Sequence, residues 1–310
     1  MNRIYNPARR HFLATLSTAT AAGFFWPAIG NTKPQSIITK PIPSSGENIP
    51  VIGLGSSITF NVGDDPVARD ACANVIKYFF DAGGKLIDSS PMYGSSQQVI
   101  GYALTKLDKT DDVFAADKVW ISDPDEGPAQ MEASRKYWNI KNFSLMQVHN
   151  LVSWEEHLKT LFKMKEAGQI HYVGITTSHG RRHEEFEKVM RKHPLDFIQL
   201  SYNILDREAE RRLLPLAKDR GIAVIVNRPF QRGDLIDWAM HYPLPDWAGD
   251  IDCSNWAQFL LKFIVSHPSV TCAIPATRHV DHVKENMGAA SGHLPDSAMR
   301  NRMIAYIEKL

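Results

Sequence analysis

From about residue 51 to the C-terminus, short apolar runs alternate with longer stretches in which apolar residues recur at helical spacing. The short runs have the length of buried strands, and the longer stretches have the length of amphipathic helices. The pattern predicts eight strands, at residues 51–54, 85–88, 113–116, 144–148, 172–175, 197–201, 223–226 and 271–274.

The stretches between the strands predict helices, three of them with clear ends. Residues 154–167 form one, which Gly168 would end because glycine readily adopts the left-handed backbone at a helix terminus. Residues 299–309 form another, close to the C-terminus. The earliest spans residues 66–81, with a predicted buried face of Val67, Ala71, Ile76, Phe79 and Phe80.

Eight strands alternating with helices over about 260 residues fit a single-domain α/β fold, the (β/α)8 TIM barrel. A doubly wound sheet would alternate in the same way, but a G-x-G-x-x-G fingerprint should then follow the first strand. Gly53-Leu54-Gly55 lacks the third glycine at that offset. The sequence therefore predicts a barrel over residues 49–310.

The first 30 residues differ from the rest of the chain. Arg9 and Arg10 precede a moderately apolar stretch, residues 12–29, and Ala28-Ile29-Gly30 offers small residues for cleavage. This segment resembles a twin-arginine signal peptide, which implies the twin-arginine export machinery as a partner and a periplasmic or otherwise exported location. An uncleaved membrane anchor is the alternative. Ser and Thr interrupt the apolar stretch, so no stable membrane span is expected in the mature protein.

Residues 31–48 carry three prolines and no periodicity, which predicts a linker or N-terminal arm. The full chain of 310 residues is 44% hydrophobic, enough for a large core, and its 35 basic and 34 acidic side chains nearly cancel. That balance argues against a nucleic-acid-binding protein. Its three scattered cysteines form no metal-ligand pair, so no metal site is predicted.

Four residues with proton chemistry lie at or near the ends of the predicted strands. Asp88 ends the second, Tyr93 follows on its loop, Lys118 lies just beyond the third, and His149 closes the fourth. The carboxyl ends of barrel strands meet at one face, where active sites form. A phenol there can protonate a carbonyl oxygen as hydride adds to the carbon, and a nearby ammonium lowers the pKa of that phenol. Asp88 would keep Lys118 charged, and His149 would donate an N–H to the same oxygen.

This ordered set resembles the catalytic tetrad of the aldo-keto reductases, and the resemblance extends from about Ile49 to the C-terminus. It implies an oxidoreductase that transfers hydride between NADP(H) and an aldehyde or ketone, with Tyr93 as the general acid. NAD(H) is the alternative cofactor. A different class of function also stays open: an exported accessory or sensor protein that keeps the barrel and the nucleotide but turns over little.

The resemblance also implies residues that bind the nucleotide. Hydroxyl and amide groups after the fifth strand and in the sixth would hold the nicotinamide carboxamide, and a segment near the C-terminus would hold the 2′-phosphate and adenine. The residues at these positions are Thr176, Thr177, Gln199 and Asn227 at the nicotinamide end, and Thr277, Arg278, Glu285 and Asn286 at the adenosine end.

The chain departs from the family pattern at several of these positions. Asn227 stands where an aromatic residue usually stacks on the nicotinamide, so stacking is weaker or Phe230 replaces it. Ala276 and His282 stand where basic residues are frequent, which leaves Arg278 as the main phosphate anchor.

Two further expectations concern the surroundings of the tetrad. Asp117 stands where a Thr often precedes the lysine, and its carboxylate could compete with Asp88 for Lys118. Four aromatic residues are candidates for the substrate wall, although they could equally fill the core: Phe60, Trp120, Trp247 and Trp256.

Overall fold

The computed structural model describes residues 37–310. They begin with an antiparallel hairpin of β1 (Thr39–Pro41) and β2 (Asn48–Pro50). Eight parallel strands follow, and their order in the sheet is their order in the chain. These barrel strands are β3 (Leu54–Gly55), β4 (Leu86–Asp88), β5 (Phe114–Val119), β6 (Phe143–Val148), β7 (Ile170–Thr176), β8 (Phe197–Ser201), β9 (Ala223–Asn227) and β10 (Cys272–Ala273).

The sheet closes on itself, because isolated parallel bridges join Ile52 to Ala273 and Gly55 to Ala276. Helices cover its outer surface, and the predicted (β/α)8 barrel is confirmed. The helices are α1 (Pro66–Asp81), α2 (Ser96–Leu107), α3 (Gly127–Trp138), α4 (Trp154–Glu166), α5 (His183–Lys192), α6 (Leu213–Arg220), α7 (Asp234–Ala239), α8 (Trp256–Val265), α9 (Val280–Gly288) and α10 (Ser297–Ile307).

Helix α1 has the predicted ends, and Ile76 and Phe79 are buried as predicted, whereas Val67 and Ala71 are exposed. Asp65 caps it by accepting a hydrogen bond from the Ala68 amide at 2.9 Å, and Pro66 occupies the first turn, where no amide donor is needed. Val67, predicted to be buried, is 78% exposed. The residues that pack inward are Cys72, Ala73, Val75, Ile76 and Phe79.

The hairpin occupies the described part of the segment predicted to be a linker or N-terminal arm, residues 31–48. Ile42 and Ile49 are fully buried in the cluster that fills the barrel. Their partners in it include Leu86, Phe114 and Phe197, the first residues of β4, β5 and β8. The hairpin therefore plugs the barrel at the amino ends of its strands.

Polar contacts fasten the hairpin in place. Lys40 Nζ donates hydrogen bonds to the carbonyls of Val265, His267 and Val270, at 2.7, 2.9 and 2.6 Å, where α8 ends. The Tyr172 hydroxyl, near the start of β7, lies 2.7 Å from Glu47 Oε2. The hairpin is thus part of the domain. The sequence pattern did not predict it, because each of its strands has only three residues.

Residues 1–36, with the predicted signal peptide and its two arginines, lie outside the described part of the chain. Between residues 37 and 310, no helix is both long and apolar enough to cross a membrane.

Candidate active site

A cavity of about 1070 Å³ opens where the barrel strands end. Loops that follow β3, β4, β6, β7, β9 and β10 contribute to its wall. Asp88, Tyr93 and His149 line it, and Lys118 is fully buried behind them. The structure thus gathers all four predicted catalytic residues at the carboxyl face of the barrel, as expected for this fold.

Lys118 forms the centre of a buried charge cluster. It lies inside β5 rather than beyond it, because the strand continues to Val119. Its Nζ donates to Asp88 Oδ1 at 2.5 Å and to the Ser89 carbonyl at 2.6 Å, and it lies 5.2 Å from the centroid of the Tyr93 ring. Burial alone would lower the pKa of Lys118, but Asp88 and Tyr93 outweigh it and the pKa is raised. Lys118 is therefore charged at neutral pH.

The Asp88 carboxylate is shared among donors from three strands. Besides Lys118, its Oδ2 accepts from Gln199 Nε2 at 2.8 Å and from Gln147 Nε2 at 3.4 Å. Gln199 in turn accepts from Asn227 Nδ2 at 3.3 Å. Two residues predicted to contact the nicotinamide are thus tied to the catalytic carboxylate.

His149 is oriented by a residue that the sequence analysis did not single out, Ser90. The Ser90 hydroxyl lies 2.8 Å from His149 Nδ1 and accepts from the Met92 amide at 3.2 Å. The direction of the Ser90–His149 bond depends on the tautomer of the ring: in the tautomer with its proton on Nε2, the hydroxyl donates to Nδ1 and the Nε2 proton stays free for a substrate. Burial, and then Lys118, lower the pKa of His149 to about 3, so the ring is neutral at neutral pH.

The phenol of Tyr93 differs from its prediction. Lys118 does favour the phenolate, but burial has the larger effect and Asp88 acts in the same direction, so the pKa of Tyr93 is raised. The sequence could not weigh these effects, because the degree of burial comes from the closed barrel. A phenol with a raised pKa keeps its proton through the neutral range and is available as a proton donor.

Asp117 does not compete with Asp88. Successive residues of a strand point to opposite faces, so the Asp117 carboxylate faces the helices while Lys118 faces the barrel interior. Its Oδ2 accepts from Gln97 Nε2 at 2.9 Å and Trp138 Nε1 at 2.6 Å, and its Oδ1 accepts from the Lys118 amide at 2.7 Å. The expected competition is wrong for this geometric reason.

Seven of the eight predicted nucleotide-binding residues line the cavity, and Arg278 does not. Its side chain is exposed, whereas the neighbouring Thr277 is buried and bonded to His282 Nδ1 at 3.2 Å. The anchor expected for a 2′-phosphate is therefore outside the cavity wall. The seven that line it are Thr176, Thr177, Gln199, Asn227, Thr277, Glu285 and Asn286.

The cavity also holds a basic cluster that sequence reasoning missed, formed by His179, Arg181, Arg228 and Arg232. Within residues 37–310, none of these three arginines forms an ion pair with a carboxylate. Burial, and then the like charge of Arg232, lower the pKa of Arg228. His179, Arg228 and Arg232 have left-handed backbones, with φ of 60°, 51° and 70°. Strain of this kind collects at ligand sites. The available sequence signal was the position of the three arginines in the loops that follow β7 and β9.

The four candidate wall aromatics separate into two groups. Trp120 is 40% exposed, with its ring centroid 6.5 Å from that of His149, and Trp256 lines the cavity. Phe60 is fully buried, and Trp247 packs against Phe259 and Tyr306. Phe230, the proposed replacement for the stacking ring, also lines the cavity.

The fold and the site together define a (β/α)8 barrel with a buried lysine–aspartate pair beside a phenol and an imidazole. The model of the Aldo/keto reductase family matches residues 51–241, more than half of the chain. The chain belongs to the aldo/keto reductase family.

Individual relatives are more distant. The chain is 31% identical over 175 residues to aldo-keto reductase YhdN of Bacillus subtilis, an alignment that covers 52% of each protein. It is 27% identical over 235 residues to the NADH-specific methylglyoxal reductase of Escherichia coli, covering 63% of this chain and 68% of that enzyme. The alignments thus span about half to two thirds of the length of these relatives.

A solved aldo/keto reductase from Klebsiella pneumoniae, in complex with NADP and acetate, superimposes with a TM-score of 0.72. The match covers 84% of this chain and 92% of that one, at 21% identity. At this level of identity the similarity is evidence for the fold.

Proposed function

We propose that this protein is an NAD(P)H-dependent oxidoreductase that reduces an aldehyde or ketone, with Tyr93 as the general acid. The observation that carries the proposal is the buried Lys118 ammonium, bonded to Asp88 and 5.2 Å from the centre of the Tyr93 ring. A buried ion pair has no structural need for a phenol and an imidazole beside it at an open cavity, whereas proton transfer does.

The residues of the cavity fit a nicotinamide dinucleotide. When bound, its reduced nicotinamide supplies the hydride. Thr177, Gln199 and Asn227 offer hydroxyl and amide groups for a carboxamide, and one continuous cavity wall leads to Glu285 and Asn286 for an adenosine. The unpaired arginines of the basic cluster suit a diphosphate, because a guanidinium binds phosphate through two parallel hydrogen bonds.

Four residues of the chain have separate roles in the proton transfer. His149 donates its Nε2 proton in a hydrogen bond to the carbonyl oxygen and stays neutral. Tyr93 transfers its phenolic proton to the same oxygen as negative charge develops there. Lys118 stabilises the phenolate that remains, and Asp88 holds Lys118 charged and in place.

We propose NADP(H) over NAD(H) because the cavity holds three arginines without carboxylate partners among residues 37–310, one positive charge more than the two negative charges of the diphosphate, although Arg278 faces elsewhere. The Klebsiella structure contains NADP, whereas the Escherichia coli relative is NADH-specific. Nucleotide released by denaturing the purified protein and identified by mass decides between them, and bound NAD(H) would contradict the preference.

Tyr93→Phe tests the acid directly. We expect kcat for carbonyl reduction to fall by about 10²- to 10⁴-fold, the usual contribution of a general acid. The affinity for NADPH, measured by quenching of protein fluorescence, should change little because the ring is retained. The matched control is Tyr172→Phe, which removes a phenol at the opposite end of the barrel and should leave kcat near that of the wild type.

Two results would count against this assignment. Equal turnover in Tyr93→Phe and wild type would remove Tyr93 from the acid role. Tight NADPH binding by the wild type, with no turnover across a panel of aldehydes and ketones, would favour the accessory or sensor function instead.

We also propose that the chain is exported by the twin-arginine machinery. The support is Arg9-Arg10 ahead of the apolar residues 12–29. This route carries folded proteins, which suits an enzyme that would leave the cytoplasm with its nucleotide already bound. Fractionation of cells that express the chain is the direct test.

A further inference from the structure

Asp117 is a fully buried carboxylate that the proposed reaction does not use. It occupies the position just before Lys118 in β5, on the face of the sheet turned towards the helices. A buried carboxylate is retained at a free-energy cost unless donors satisfy it. Asp117 has such donors, and they come from three different elements.

The hydrogen bonds from these donors connect β5 to α2 and α3, on the side of the sheet opposite the Lys118 side chain. Gln97 of α2 and Trp138 of α3 both donate to Asp117 Oδ2, at 2.9 and 2.6 Å. Gln97 also donates to Ser134 of α3 at 2.9 Å. The Lys118 amide completes the set through Oδ1, at 2.7 Å. One carboxylate therefore joins the end of β5 to the two helices that flank it.

When it is ionised, the same carboxylate places a negative charge near the proton-transfer site, and among residues 37–310 it has no ion-pair partner of its own. The titratable groups around it are Lys118 on its own strand, Asp88 at the end of β4 and Tyr93 on the loop after β4, while α2 and α3 present only the neutral Gln97, Ser134 and Trp138. Lys118 is thus the single cation beside two carboxylates. Its direct ion pair is with Asp88.

We infer that Asp117 is a positioning residue for the acid: it anchors β5 to α2 and α3 and places a second carboxylate directly behind Lys118. The charge of that carboxylate opposes the effect of the lysine, so the pKa of the Tyr93 phenol is higher than it would be without Asp117. The inference rests on the proposed function for its meaning in catalysis. Its electrostatic part concerns only groups within this chain.

The charge of Asp117 changes within the working pH range. Burial, against the opposing effect of Lys118, raises the pKa of Asp117 to about 7. Above that pH the carboxylate is ionised and opposes formation of the phenolate at Tyr93, and below it the influence fades. The sign is the same for both neighbours, since Asp117 raises the pKa of Tyr93 and that of Lys118.

The experiment is a phenolate titration that needs no turnover. The ultraviolet absorbance of the phenolate is followed against pH in wild type and Asp117→Asn. The same curves recorded in the Tyr93→Phe background are then subtracted, which isolates Tyr93 from the other tyrosines. We expect the Tyr93 transition in Asp117→Asn to move to lower pH by about 0.5 to 1 pH unit. The basic limb of kcat/KM for reduction should move with it.

Asp196→Asn is the matched control. Asp196 is also a buried carboxylate, but it pairs with Lys165 at 2.6 Å and precedes β8 at the far end of the barrel. Its substitution should leave the Tyr93 transition and the basic limb unchanged. If Asp117→Asn folds and its Tyr93 transition coincides with that of the wild type, the inference is wrong.

Asp117→Thr, which introduces the residue that often stands at this position, keeps the proposal testable if Asp117→Asn does not fold. It removes the same carboxylate, so the Tyr93 transition should again move to lower pH. An unchanged transition in folded Asp117→Thr would equally overturn the inference. Failure of the proposed function looks different: the titration would shift as expected, but no carbonyl compound would be reduced.

Discussion

At the level of single residues, the buried Asp88 carboxylate links the proposed acid to the wall proposed for the nucleotide. It accepts from Lys118, which faces the phenol, and from Gln199, which lines the wall proposed for the nicotinamide. Each hydrogen bond in such a low-dielectric network affects the others. A substitution at Gln199 should therefore affect the proposed acid, Tyr93, as well as the binding of the cofactor.

Ser90 offers a sharper test at this scale, because among residues 37–310 it is the hydrogen-bond partner of His149 Nδ1. Ser90→Ala should lower kcat/KM for reduction about tenfold, since one hydrogen bond that orients a catalytic group is lost. The measurement is steady-state kinetics with saturating nucleotide. Ser45→Ala, which removes a hydroxyl 2.7 Å from the Tyr172 hydroxyl in the hairpin, is the control and should have wild-type kcat/KM. Loss of activity in both variants would indicate general destabilisation instead.

The grouping of the four candidate proton-transfer residues was predictable from the sequence, because each lies at or near a strand end and the strand ends share one face. The pKa shifts of these residues were not predictable from the sequence. The pKa of Tyr93 depends on burial by loops that are distant in sequence, and the role of Asp117 depends on a strand that runs three residues further than its apolar core suggests. Alternation along β5 then sends Lys118 inward and Asp117 outward.

At the scale of elements, the local sequence predicted where a helix begins and ends better than it predicted which of its side chains are buried. Asp65-Pro66 marks the start of α1 unambiguously, whereas its inner face depends on which neighbours it meets, and Val67 faces solvent. The β1–β2 hairpin escaped detection because its prolines and short strands resemble a linker. The hairpin is buried by tertiary contacts with the amino ends of the barrel strands, and such contacts cannot be predicted from the local sequence pattern.

Lys40 allows the contribution of the hairpin to be measured. Lys40→Ala should lower the free energy of unfolding by about 2 kcal/mol, because three backbone carbonyls at the end of α8 lose a charged donor. Denaturant unfolding gives this value. Turnover of the folded variant should be unchanged, since the hairpin lies at the end opposite the cavity. Lys85→Ala, at an exposed position, should affect neither quantity, and a fall in kcat for Lys40→Ala would contradict this separation.

At the scale of the whole molecule, the barrel assigns different tasks to its two ends. The carboxyl ends of the strands carry the cavity, the tetrad and the basic cluster, and the amino ends carry the plug. The (β/α)8 class was predictable from the alternation of elements alone. The basic cluster was not, because it unites loops after β7 and β9 that are separated by about fifty residues and meet only when the sheet closes.

The proposed export is tested on the intact chain. Replacing Arg9 and Arg10 with lysine should retain the protein in the cytoplasm, because the twin-arginine route requires the arginine pair. Immunoblots of periplasmic, membrane and cytoplasmic fractions provide the measurement, and substitution of Arg3 by lysine serves as the charge-matched control. Unchanged distribution of the double variant would contradict this route, and wild-type protein found only in membranes would favour the uncleaved anchor.

The plug has a practical consequence for any device built from this enzyme. Ile38 is bonded to the Ala290 carbonyl beyond the end of α9, so the chain enters the domain at the floor of the barrel. A tether attached ahead of this residue would hold the protein at the amino ends of the barrel strands. The cavity, at the carboxyl ends, would then face away from the solid support. An immobilised sample held by its N-terminus should therefore keep its cavity open to molecules arriving from solution.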